Sequence, residues 1–260
     1  MNRPGYVFYL RRRHLDSNQA LYHLAAEAAA IVTDDFPAYL PREFNQRVAP
    51  KIGVPYYTVD ASCIVPLPLA EKQEYAAYTL RPKIQRQLAT FLRPVPELAL
   101  AKPFTGPPSA FHTLVRPGQI AELVASCEID HTVRPCPRYP GGRRAALDRL
   151  GRFLEHNLRR SPRLNREPSA EATSRLSPYL HSGHIGSLEI AHAVRTYAEE
   201  HKLISVEFLE QLIVRRELAF NFAAHGPPPF SLAALPNWAQ ATLCKHASDP
   251  RDVLYTREQF

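Results

Sequence analysis

Long apolar runs, cysteine and tryptophan are what this sequence has least of. No window holds eighteen consecutive apolar residues, so a membrane-spanning helix is excluded. The four cysteines, Cys63, Cys127, Cys136 and Cys244, are scattered, which argues against a disulfide framework and for reduced thiols. "CEIDHTVRPC" (127–136) sets two thiols around His131, at a spacing that fits no standard zinc site. His181 and His184 stand three apart beside a glycine turn without a third ligand nearby, and His14, His23 and His112 form no constellation. No metal is expected. A Gly-x-Ser-x-Gly nucleophile elbow is missing too. The first residues carry only a short apolar run before Arg11, Arg12 and Arg13, too short for a signal peptide, so a cytoplasmic location is the expectation.

What is present is enough for a core: 45% of the 260 residues are apolar, which excludes global disorder. The net charge of +7 is concentrated. Residues 141–166, "GGRRAALDRLGRFLEHNLRRSPRLNR", hold eight arginines against Asp148 and Glu155, a local net of +6. Such a stripe suits polyphosphate or nucleic acid, and equally a solvated helix face.

The periodicity divides the chain. "GYVFYL" (5–10) reads as a strand, 15–29 as a helix, 29–35 as a buried strand, 41–53 as an amphipathic helix ended by Gly53, and 55–67 as a third β-rich run. Alternating strands and helices predict a small parallel α/β unit over residues 1–92. Residues 93–140 are rich in proline and predict an extended connector, with a short helix near 118–126. From 141 to 260 the pattern is helical. Leu147, Leu150, Phe153, Leu154 and Leu158 form one apolar face, Ser187 is placed to cap a helix over 187–202, and 205–222 is a buried helix. Asn237 with Gln240, and Thr256 with Gln259, have capping-box spacing. The second start comes four residues before the last, so the sequence reads as stopping inside a longer architecture.

"TSRLSPYLHSGHIG" (173–186) is the stretch richest in chemistry. Ser177-Pro178 is a helix start, and helix N-termini attract anions. Thr173 and Ser174 add hydroxyl donors, Arg175 a permanent cation, and Gly183 and Gly186 tight turns. The combination suits a pyrophosphate, or simply a capped helix with a polar lead-in.

These residues resemble the flavin-phosphate motif of DNA photolyases and cryptochromes. "IDHTVRPCPRYPGGRRAALDRLGRFLE" (129–155) is similar to the entry into that family's helical domain. "FLEQLIVRRELAFNF" (208–222) and "NWAQATLCKHASDPRDVLYTREQF" (237–260) resemble its class II branch. "GYVFYLRRRHLDSNQALYHLA", "IVTDDFPAYLPR" and "VDASCIVPL" look like parts of its α/β antenna domain. The resemblance implies an α/β domain plus an all-α domain holding FAD, with light-driven electron transfer from reduced FAD to a cyclobutane pyrimidine dimer flipped out of DNA. It places Thr173, Ser174, Arg175, Leu176 and Ser177 at the FAD phosphates and Arg215, Arg216, Glu217 and Asn221 on the helix between flavin and lesion. Gln211 stands at the lesion contact, where the class II pattern has a glutamate. Arg143, Arg144, Arg149 and Arg152 are the expected DNA contacts. Catalytic residues are not assigned, and Trp238 is given no catalytic role.

Two departures stand out. The α/β unit lacks its middle, since Ala28–Ala30 runs almost directly into the "IVTDD" strand, and the family's segments after a "YTLEQ"-like sequence are not here. The expectations are a shortened photolyase-like carbon–carbon lyase with impaired activity, its other half supplied by a separate chain, or a non-enzymatic nucleic-acid-binding remnant. A partial product that does not fold stably by itself is a third, weaker reading.

Overall fold

The computed structural model describes residues 5–259 apart from 95, 97, 98, 103, 105–109 and 228–230, and for 257 the backbone only. Two short strands, β1 (Ile31–Asp34) and β2 (Tyr56–Val59), pair in parallel with Ile31 opposite Tyr56 and Asp34 opposite Val59. Their β-branched and aromatic residues suit a pleated surface. Helix α1 (Gln19–Glu27) precedes β1, and α2 (Tyr39–Val48) crosses between the strands. Asn45 of α2 ties the crossover to both strands: its Nδ2 donates to the Asp34 carbonyl at 2.9 Å, and its Oδ1 accepts from the Tyr56 hydroxyl at 2.8 Å.

The expected strand at 5–10 is not in this sheet. Its backbone turns instead to the proline-rich connector: Phe8 N–H donates to His112 Nδ1 at 3.0 Å, and Thr113 N–H donates to the Phe8 carbonyl at 2.6 Å. The connector carries α4 (Ile120–Ala125), close to the expected helix. Part of the connector's stretch 93–109 lies outside the described residues.

A long helix that the apolar spacing did not mark, α3 (Ala77–Phe91), spans Pro82. Its Leu80 and Ile84, with Ile64 and Val65, pack in one core with residues from 146 to 214. The packing therefore does not follow the division at residue 92 expected from composition; Ile64 onward already belongs to the helical core.

That core is built by α5 (Arg143–Arg152), α6 (Ser161–Leu164), α7 (Ser177–His181), α8 (Ser187–Glu200), α9 (Val206–Leu209) and α10 (Arg216–His225). On α8 the buried Ile190, Ala191, Val194 and Ala198 repeat at three-and-four spacing. Helix α5 widens into a π-helical turn at Phe153–Asn157, and a second π-helical turn, Glu210–Arg215, joins α9 to α10. The second turn shifts the helical register, so the consecutive Leu212, Ile213 and Val214 are all buried. Leu147, expected on the apolar face, is exposed, while Leu150, Phe153 and Leu158 carry the packing.

Capping differs from expectation in two places. Ser187 is the first helical residue, and its hydroxyl donates to the Ser62 carbonyl at 2.9 Å rather than capping α8. Helix α11 (Asn237–Lys245) begins at Asn237, and Gln240 donates to the Leu235 carbonyl at 2.7 Å. At the last turn, Thr256 N–H donates to Gln259 Oε1 at 2.8 Å, the return half of a capping box. Among the described residues no helix is long and apolar enough to cross a membrane.

Candidate functional site

Thr173 and Ser174 sit in a turn bracketed by two non-glycine residues in the left-handed region, Glu171 at φ 49° and Arg175 at φ 55°. That conformation costs of order 1 kcal/mol or more per residue, and strain of this kind gathers at functional sites. Local bonds hold the turn: Asn157 Nδ2 donates to the Glu171 carbonyl at 3.2 Å, and Arg160 to the Ala170 carbonyl at 3.3 Å. The Glu171 carboxylate accepts from Arg175 at 2.6 Å and Arg138 at 2.9 Å. Arg175, with Arg138 behind it, holds that carboxyl below its ordinary range.

Two recesses open on either side of Thr173 and Ser174. The smaller, about 120 Å³, is lined by Arg149, Phe153, Asn157, Glu171, Thr173, Ser174 and Arg175. The larger, about 330 Å³, is lined by Ser161, Asn165, Arg166, Thr173, Ser174, Phe208 and Gln211. Each π-helical turn contributes, Phe153 and Asn157 to the first and Gln211 to the second. Phe153 of the first turn packs against Phe208 of α9, with ring centres 4.7 Å apart.

Arg149, expected with its neighbours at DNA, has different surroundings from them. It does not join the exposed arginines of α5. Its guanidinium lies 6.0 Å from the Tyr139 ring centre, and its Nε is buried with no hydrogen-bond partner. A buried unpaired donor costs about 1–3 kcal/mol, more for a charged group, so an acceptor in the smaller recess would relieve it. Arg143 is also committed, through two bonds of 2.7 and 2.9 Å to Glu189. Arg144 and Arg152 remain exposed.

The residues implied at the flavin do not all converge. Leu176 is in the core and Ser177 is exposed outside both recesses. On α10, Arg216 donates to the Ser62 carbonyl at 2.5 Å. Buried Glu217 accepts from the N–H groups of Ile64 and Val65 at 2.7 and 3.3 Å, and burial pushes its carboxyl up to about 7. Asn221, fully buried, accepts from Glu74 N–H at 2.7 Å and donates to the Lys72 carbonyl at 3.0 Å. These three side chains hold the segment 62–74 against α10 and lie outside both recesses at Thr173. Arg215 is half exposed, 3.8 Å from Glu210. Glu217 and Asn221 line a separate cavity of about 570 Å³ beside Lys72, Lys83 and Arg86.

His184, weighed as a metal ligand, accepts the Gly142 N–H through Nδ1 at 2.8 Å and packs edge-on against Tyr179. Among the described residues no group of three His, Cys, Asp or Glu could hold a metal ion.

No protein-family model matches the chain. Curated relatives do. It is 34% identical over 243 residues to the deoxyribodipyrimidine photo-lyase of Methanothermobacter thermautotrophicus, covering 92% of this chain and 51% of that protein. The chain is similar to DNA photolyases. The deoxyribodipyrimidine photo-lyase of Oryza sativa is 34% identical over 90% of this chain and 47% of its own length, and that of Potorous tridactylus 32% over 88% and 43%. The chain thus spans about half the length of these photolyase relatives. A class III photolyase from Agrobacterium tumefaciens shares the fold, with a TM-score of 0.53 at 18% identity over 80% of this chain and 44% of that one.

Proposed function

We propose that this photolyase-like chain is a flavoprotein part, in which the turn at 171–175 holds the phosphate end of FAD. The observation that carries the reading is the pair of recesses meeting at Thr173 and Ser174, one of them lined by Arg149, whose Nε is buried without a hydrogen-bond partner. A recess of about 120 Å³ accepts one phosphate group, and its donors are hydroxyls and guanidinium groups, the chemistry a phosphate requires. Thr173 and Ser174 would bind through their hydroxyls and Arg175 through its charge, while Phe153 and Phe208 close the space from water.

FAD, when bound and reduced, supplies the electron that opens a cyclobutane pyrimidine dimer. Gln211, in the larger recess, is placed to meet the flavin or lesion side of the ligand. DNA carrying such a dimer is the substrate of the whole activity. Exposed Arg144 and Arg152 hold its phosphates, and a second polypeptide corresponding to the rest of the relatives completes the flavin enclosure.

The test is a titration of FAD followed by flavin fluorescence, comparing the chain with Thr173→Ala/Ser174→Ala. Affinity lost in the double variant supports the reading, and equal affinity sinks it. A second reading, a nucleic-acid-binding remnant without flavin, is favoured by the exposed Arg144, Arg152, Arg159, Arg160, Arg163 and Arg166. A colourless protein that does not take up FAD yet binds DNA would decide for it.

A further inference from the structure

Glu171 already occupies the neighbourhood that a phosphate would claim. Glu171 lines the smaller recess, and its Oε1 accepts from both Arg175 and Arg138, at 2.6 and 2.9 Å. Across the same recess the Nε of Arg149 is buried and unpartnered. One guanidinium is therefore held by a resident anion, and another has its Nε buried without an acceptor. We propose that the recess is a phosphate site gated by this arrangement: Arg149, half-buried with its Nε unpartnered, is its additional cation, and Glu171 is a placeholder carboxylate that a phosphate must displace from Arg175.

The steps are an exchange of partners. A phosphate oxygen accepts from Arg149 Nε, whose desolvation is already paid in the folded chain. Arg175 turns from Glu171 to the phosphate. Glu171, with its side chain 61% exposed, swings toward water and keeps Arg138. The two left-handed residues are Glu171 and Arg175 themselves, so the strained backbone fixes where both charges stand. Because Glu171 is exposed, its competition is screened and modest. Arg149 acts in a drier place, so its loss weighs more.

This inference rests on the flavin-phosphate reading, and the experiment separates the two. Calorimetric titrations use inorganic pyrophosphate and, separately, FAD, on the wild-type chain, Arg149→Gln and Glu171→Gln. Arg149→Gln is expected to weaken pyrophosphate about tenfold. Glu171→Gln is expected to tighten it about threefold, a gain that misfolding cannot mimic. Unchanged pyrophosphate affinity in Arg149→Gln, or weaker binding in Glu171→Gln, overturns the inference. If pyrophosphate follows the expected order but FAD does not bind, the phosphate site stands and the flavin reading falls. If FAD binds and is indifferent to both substitutions, the inference falls while the flavin reading survives. If neither ligand binds any variant, both fall.

Discussion

Glu217 accepts the backbone N–H of Ile64 at 2.7 Å, across 153 residues of sequence. Burial raises its carboxyl from 4.5 to about 7, so the folded chain keeps a proton that the unfolded chain releases earlier. The resulting stability is fully present below pH 4.5 and is lost as pH rises through 7. At 1.36 kcal/mol per pKa unit the loss is roughly 3 kcal/mol. Glu217→Gln keeps an acceptor for Ile64 and removes the titration. Urea midpoints from pH 4.5 to 8 should fall more steeply for wild type than for the variant, and parallel curves would contradict the assignment.

Asn221 is expected to be among the costliest single truncations. Asn221→Ala leaves Glu74 N–H and the Lys72 carbonyl unpaired in a buried place. The expected loss is about 2–4 kcal/mol in urea unfolding. A loss below about 1 kcal/mol would mean that water replaces the amide.

Arg144 and Arg152 are exposed, whereas Arg143 pairs with Glu189 and Arg149 packs over the Tyr139 ring. Reversing the exposed pair to glutamate should weaken binding to damaged and undamaged DNA alike. The slope of log affinity against log salt should fall by roughly 2, one phosphate contact per arginine. Binding that ignores the double variant would make this stripe a solvated face.

By itself, this chain is expected not to repair dimers in light. Of the recesses at Thr173, the smaller, about 120 Å³, has room for one phosphate, and the larger, about 330 Å³, lies at the bottom of the roughly 300–1,000 Å³ range of pockets that enclose a drug-sized ligand, so neither encloses a whole dinucleotide. An unenclosed flavin ring has no fixed place beside a base whose unstacking costs a few kcal/mol. Blue light on a dimer-containing oligonucleotide, with reduced FAD added, should leave the dimers as in a protein-free control. Dimer loss above that control would contradict this.

Much of the fold was legible because periodicity reports directly on burial. The β1 and β2 runs, α2, α4 and α8 lie close to where apolar spacing puts them. α3 was not, because Pro82 interrupts its pattern and its buried face is only Ala77, Leu80 and Ile84. Run 5–10 has strand composition, but its backbone partners are His112 and Thr113, over a hundred residues away, and composition cannot name a partner. At the site, hydroxyls and charge pointed to 173–175. Net charge groups Arg149 with its neighbours and does not tell which arginine of a helix packs over Tyr139. One signal was present: Arg149 lies one helical turn before Phe153, on the buried side of α5.

The most direct test is a crystal structure of the chain grown with FAD. The phosphorus positions are predicted within hydrogen-bonding reach of the Thr173 and Ser174 hydroxyls, with Arg149 turned toward them. Phosphate density in the larger cavity beside Lys72, Lys83 and Arg86, with the turn at 171–175 unchanged and Glu171 still on Arg175, would contradict the assignment.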